Sequence, residues 1–184
     1  MKTKLSDLQN LLSVIEAKNL SVFDASKIIT ATKTNLDDKE FNLTVDYSRT
    51  LKEMIKFGNY DYFDKKINEN NFPFPVDFLG KKIKIYAKLL HFNEVIRGQE
   101  IIDRLNKTEA SFRPATLAEQ LSFAQANPEL QKDFPIVALG SIYRNIFRSL
   151  SVPVLFFDDY KRQLSLDWFE SKWSPFCRFL IVHK

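Results

Sequence analysis

Outside its hydroxyls, carboxylates and lysine amines, this 184-residue chain offers two histidines and one cysteine as nucleophiles and bases. Nucleophilic catalysis needs an attacking group held beside a base. The bases available are His91 and His183. His183 is the penultimate residue, where chains usually fray, so it is a poor catalytic candidate. His91 follows a lysine-bearing run and reads as a packed or surface histidine. Gly140-Ser141 lacks the G-x-S-x-G pattern of a nucleophile elbow. Cys177 opens the strand-like run Cys177-Arg178-Phe179-Leu180-Ile181-Val182 and reads as a small buried apolar residue. Metal chemistry has no better footing, since two distant histidines and one cysteine do not make a zinc set. Asp158 and Asp159 with Asp167 and Glu170 form the one carboxylate group that could hold magnesium. Adjacent aspartates ahead of Tyr160-Lys161-Arg162 are better explained as a polar turn. No phosphate-binding loop or dinucleotide fingerprint occurs, and no cofactor is implied. An enzyme built on this chain would be a hydrolase or nucleotide-acting protein with a nonlocal site near His91 and those carboxylates.

Residues suited to binding are easier to find. In the run from Lys81 to Phe92, Lys82, Lys84, Tyr86 and Lys88 fall on one face of an alternating strand. Lysines two residues apart around an aromatic ring suit phosphates and one stacked base. Lysines on an exposed strand also discourage edge-to-edge aggregation, the commoner use. A second basic group comprises Arg144, Arg148, Lys161 and Arg162. The first two would share a face if Ile142 to Leu150 were helical, and the guanidinium fork suits phosphate and carboxylate alike. Trp173, in the polar loop Ser171 to Pro175, is the aromatic expected to stand exposed for docking.

The elements that must position these residues follow from composition and periodicity. The length suits one well-buried core, and 17 phenylalanines supply much of the apolar area it needs. One cysteine leaves no intramolecular disulfide and fits a reducing compartment. Charged residues interrupt every apolar run near the N-terminus, so no leader or membrane span is expected there. The expected location is the cytoplasm, with no membrane partner. A net charge of +4 is a mild bias toward anionic partners.

Leu5, Leu8, Leu12 and Ile15, then Val22, Ala25, Ile28 and Ile29, predict an N-terminal helical hairpin over residues 1–36. Residues 40–184 form the body. Phe41, Leu43 and Val45 alternate as a strand. Ser48 is a candidate cap for a helix carrying Leu51, Met54 and Ile55, with Gly58 its terminator. A helix with Ile101, Ile102 and Leu105 follows the lysine strand. Thr116 and Glu119 make a capping box for a helix ending near Asn127-Pro128. Four strand candidates close the chain: Ile136–Leu139, Val152–Phe157, Gln163–Trp168 and Cys177–Val182. Asp158 to Arg162 is short enough for a hairpin, so the last three are expected to form an antiparallel meander. This order predicts a single α+β domain, a mainly antiparallel sheet with helices packed on one face.

The run Phe112-Arg113-Pro114-Ala115-Thr116-Leu117-Ala118-Glu119-Gln120-Leu121 leads through Pro128-Glu129-Leu130-Gln131 to Phe134-Pro135-Ile136-Val137-Ala138-Leu139-Gly140-Ser141. It resembles a signature shared by a family of small uncharacterised bacterial proteins. The likeness extends loosely over residues 41 to 184 and implies no activity. The signature also has a structural account: a capped helix, a proline stop and a buried strand that Gly140 terminates. Arg113 calls for a carboxylate or carbonyl partner. The expected function is a non-enzymatic, basic binding protein contacting a larger protein or ribonucleoprotein partner, with RNA part of the contact. Its specific form is an anti-CRISPR-type inhibitor of an RNA-guided nuclease, acting on guide RNA or its binding channel. A structural accessory subunit docking through Phe, Trp168 and Trp173 is the third reading.

Overall fold

The computed structural model describes residues 39–184, and the N-terminal hairpin expected over 1–36 lies outside them. β1 (Phe41–Asp46) buries Phe41, Leu43 and Val45 and exposes Asn42 and Thr44. α1 (Leu51–Gly58) begins at Thr50, which exchanges side-chain and backbone hydrogen bonds with Glu53 in a capping box. Ser48 is therefore not the cap; its hydroxyl bonds Asp46 instead. Nor does Gly58 end the helix by turning left-handed, because Asn59 takes that conformation at φ 49°. A short β2 (Tyr62–Phe63) and a 3-10 turn (Val76–Phe78) lead to β3 (Lys82–His91). Then come α2 (Gly98–Thr108), β4 (Phe112–Pro114), α3 (Leu117–Ala126) and the single turn α4 (Leu130–Asp133). β5 (Ile136–Val137), β6 (Tyr143–Arg144), β7 (Leu150–Asp158), β8 (Lys161–Trp168) and β9 (Arg178–His183) complete the body.

All these strands join one sheet in the order β1-β3-β9-β5-β7-β8-β2, with β4 also on β9 and β6 on β7. Most pairs are antiparallel; β5 with β9 and β2 with β8 are parallel. β7 and β8 form the expected hairpin, closed by Asp159 and Tyr160, both at positive φ. That is the geometry a two-residue hairpin turn requires. The meander stops there. β9 leaves β8 and inserts between β3 and β5. Its run Arg178 to Val182 is buried at every residue, which a strand covered on both faces demands and an edge strand would not tolerate.

Helices cover both faces, not one. Directly opposed residues share a face, so Phe41, Ala87 and Val182 lie together. α3 packs there, with the Phe123 ring edge-on to Phe41 at 4.9 Å. On the other face α2 seats Leu105 against Phe112, Ile181 and Leu90. Ile101 joins Val137, Val154, Phe179 and Trp173 in the main cluster of that side. A sheet whose central strand is apolar on both sides must bury both, and one helical layer could not do so.

The 112–141 signature is the joint between α3 and the sheet. Arg113 donates twice to Glu119, at 3.0 and 2.6 Å, and once to the Pro114 carbonyl. Glu119 in turn accepts the Thr116 N–H at 2.7 Å, completing the cap of α3. The Ser141 hydroxyl accepts the Leu117 N–H, so the end of the signature caps the start of the same helix. Tyr47 is buried beside this group. Burial, with the Glu119 charge, pushes its phenol up to about 12. A phenol protonated more readily in the fold than in the unfolded chain stabilises the fold below pH 10. That contribution is lost as pH rises from about 10 toward 12. Alkaline unfolding in this window should therefore flatten in Tyr47→Phe, measured by circular dichroism against pH.

Candidate binding surface

The strand that carries the lysines is amphipathic as its alternation predicts. Ala87 and Leu89 are fully buried, while Lys82, Lys84 and Tyr86 are exposed and Lys88 is half-buried. Among the described residues, no further helix packs on this face beyond α2. β1 adds Asn42 opposite Tyr86 and Thr44 opposite Lys84. β9 adds His183, whose ring stands edge-on to Tyr86 at 6.3 Å. His183 also packs on Phe112, the ring centres 4.1 Å apart, and Lys88 lies over the same Phe112 ring at 5.1 Å. Far from fraying, the segment around His183 is pinned. β4 pairs Phe112 with His183, and Lys184 bonds the carbonyls of Ser111 and Ala110.

The surface thus presents Lys84 and Tyr86 at its centre, with His183 and Lys88 to one side and two small polar residues to the other. Two cations are partly neutralised. Lys82 pairs with Asp46 at 3.4 Å and Lys88 with Glu40 at 3.3 Å. The Ser48 hydroxyl holds the Asp46 carboxyl below the usual range, helped by Lys82. Among the described residues Lys84 makes no ion pair. Tyr86, 53% exposed, offers a ring face. Such an array has the chemistry to hold phosphates and stack a base.

The second basic group is not one surface. Arg144 and Arg148 flank the β6–β7 connection, which is a hairpin and not the helix that would align them. Lys161 and Arg162 stand at the far end of β7, roughly 27 Å away along nine residues of strand. Lys161 pairs with Asp159. Arg162 is a structural tie: it donates to the Gly58 carbonyl and to the Gln131 side chain and lies over the Tyr60 ring. β9 and β5 intervene between β3 and β7, so neither pair adjoins the lysine strand through a shared ladder.

Trp173 is also misplaced by the sequence. It is 3% exposed, bridged to Ile96 by main-chain bonds, with its indole N–H on the Phe169 carbonyl. The exposed tryptophan is Trp168, at 67%. The carboxylates named for an enzyme site fall into two groups. Asp158 and Asp159 sit at one end of β8, Asp167 and Glu170 at the other. His91 places Nε2 against the Pro175 carbonyl at 2.8 Å. Among the described residues no three His, Cys, Asp or Glu are grouped to hold a metal. Cys177 is buried, and burial pushes its thiol up, the opposite of nucleophile activation. A cleft of about 600 Å³ beside α1 is floored by Ile55, Phe63 and Ile67, and the carboxylate lining it, Glu69, accepts the Lys52 N–H.

Fold and surface together define an α+β domain with a mixed sheet whose β1–β3–β9 corner, among the described residues, carries exposed cations and an aromatic ring. Comparison with protein-family models, with curated proteins and with solved structures returns no match for the chain.

Proposed function

We propose that the protein is a non-enzymatic, cytoplasmic binding protein that takes RNA, as part of a ribonucleoprotein, on the β1–β3–β9 face. The observation that carries this reading is the juxtaposition of Lys84, Tyr86, Lys88 and His183 beside the part of this face that α2 packs on. Sheet faces bearing aromatic rings among cations are a general solution for single-stranded nucleic acid, because every base has a face to stack and every nucleotide a phosphate. In its most specific form the partner is an RNA-guided nuclease, inhibited in the anti-CRISPR manner by occupation of guide RNA or its channel. The resemblance of the 112–141 signature to a family of small bacterial proteins is compatible with this and supplies no activity of its own.

The test is fluorescence anisotropy with a labelled single-stranded oligoribonucleotide across a salt series. Tyr86→Ala is expected to weaken binding roughly tenfold through the lost stack. Lys84→Gln should lower the salt slope by about 0.7, the share of one phosphate contact. Binding that ignores both salt and Tyr86 would rule the reading out. Affinity capture with and without RNase then asks whether one RNA-bound nuclease is recovered.

A further inference from the structure

The β6–β7 connection is a self-supporting loop with an unusual tip. Asn145 N–H donates to the Ser149 carbonyl at 3.1 Å, and Arg148 N–H donates back to the Asn145 carbonyl at 2.9 Å. The Asn145 side-chain oxygen accepts both Phe147 N–H and Ser149 N–H, each at 2.9 Å. Arg148 closes the turn at φ 64°. The loop's shape thus comes from its own backbone and one asparagine, not from side-chain packing. It holds Ile146 and Phe147 away from the body, 89% and 81% exposed. Exposed apolar residues scattered singly need no explanation; here two adjacent ones stand together at a hydrogen-bonded tip. Arg144 and Arg148 stand on either side of them. Tyr143 pairs with Ser151, and Ser151 with Trp168, so the exposed indole lies two strand spacings away, roughly 10 Å.

We propose that this hairpin docks on an anionic phospholipid bilayer: Ile146 and Phe147 enter the headgroup–acyl boundary, while Arg144 and Arg148 bind lipid phosphates. Charge and chemistry select this occupant over others. Two arginines beside the tip would repel the same loop of a second copy. A bilayer offers hydrocarbon and an anionic phosphate layer at the two depths that tip and shoulders require. Trp168 and Tyr143 are the amphipathic aromatics that favour the headgroup level. Among the described residues no helix is long and apolar enough to cross a membrane; surface docking needs none. The proposal departs from the expectation of no membrane partner, and it uses none of the residues on the lysine face.

The experiment is co-sedimentation of the full chain with vesicles of equimolar phosphatidylcholine and phosphatidylserine, beside vesicles of phosphatidylcholine alone. Trp168 emission is read with acyl-chain spin-labelled lipid as quencher. Binding to the anionic vesicles with quenching is expected, and much less to the neutral ones. Ile146→Ser with Phe147→Ser should lower the partition coefficient about tenfold or more, and Arg144→Gln with Arg148→Gln should erase the preference for phosphatidylserine. Both double variants should melt like the parent, since the loop's bonds are untouched. No binding to anionic vesicles, undiminished binding of the Ile146/Phe147 variant, or loss of RNA binding in that variant with vesicle binding intact would each overturn the proposal.

Discussion

Arg113→Ala is expected to lower stability by about 3 kcal/mol, because it strands a carboxylate that the fold has taken out of water. Glu119 is 2% exposed at its side chain and, among the described residues, has one cationic partner, the bidentate Arg113 guanidinium. The Arg113 side chain is 35% exposed, which keeps the loss at the lower end of what broken buried pairs cost. For a chain of this size the melting temperature should fall by roughly 6–12 °C. Glu119→Gln is the informative companion. It removes the charge that needs a partner and leaves an acceptor for the Thr116 N–H, so the cost should drop to about 1 kcal/mol. Urea titrations of both variants decide the matter: equal losses would mean that the ion pair is not what holds α3 to the sheet.

Gly140→Ala is expected to cost about 1–3 kcal/mol for a different reason, direct steric intrusion on backbone. A Cβ built there would lie 2.5 Å from the Pro114 carbonyl oxygen and 2.7 Å from that of Ala115. Those atoms cannot rotate aside, since Gly140 N–H is bonded to Ala115 O at 2.9 Å. Gly80 provides the contrast, with empty space around it but φ at 76°. Gly80→Ala should cost about 1 kcal/mol through backbone strain alone. A Gly140→Ala protein as stable as the parent in chemical denaturation would show that the joint between β4 and the 138–141 segment is loose.

These two residues also show what could be read in advance. The demand of Arg113 for a partner, the Thr116–Glu119 box and the alternation of the lysine strand are local patterns, and each is present in the fold. What escaped is set by long-range pairing. Arg144 and Arg148 have the spacing of a helix face, but Asn145 closes a hairpin between them. Asn145 itself, a turn former flanked by the apolar Tyr143 and the exposed Ile146-Phe147, was the available signal. Trp173 sits in a polar, proline-containing loop by sequence, yet its backbone bridges Ile96, a partner that nothing nearby announces. His183 and Phe112 join the lysine face only because β9 lies between β3 and β4. The uninterrupted apolar run of β9 was legible evidence that this strand is central; its neighbours were not legible.

That central strand has a consequence for how the protein is made. β9 follows every other strand in the chain, yet it is the seam between the β1–β3 pair and the β5–β7–β8 group. On the ribosome those two halves can each form early, since their pairings precede β9 in the order of synthesis. Until β9 emerges, each half waits with an open edge, β3 on one side and β5 on the other. Such edges are the natural targets of chaperones and of mistaken pairing between nascent chains. Completion of the sheet is therefore a late, non-local and slow event, and yield in the cell should respond more to chaperone supply than the finished fold's stability would suggest.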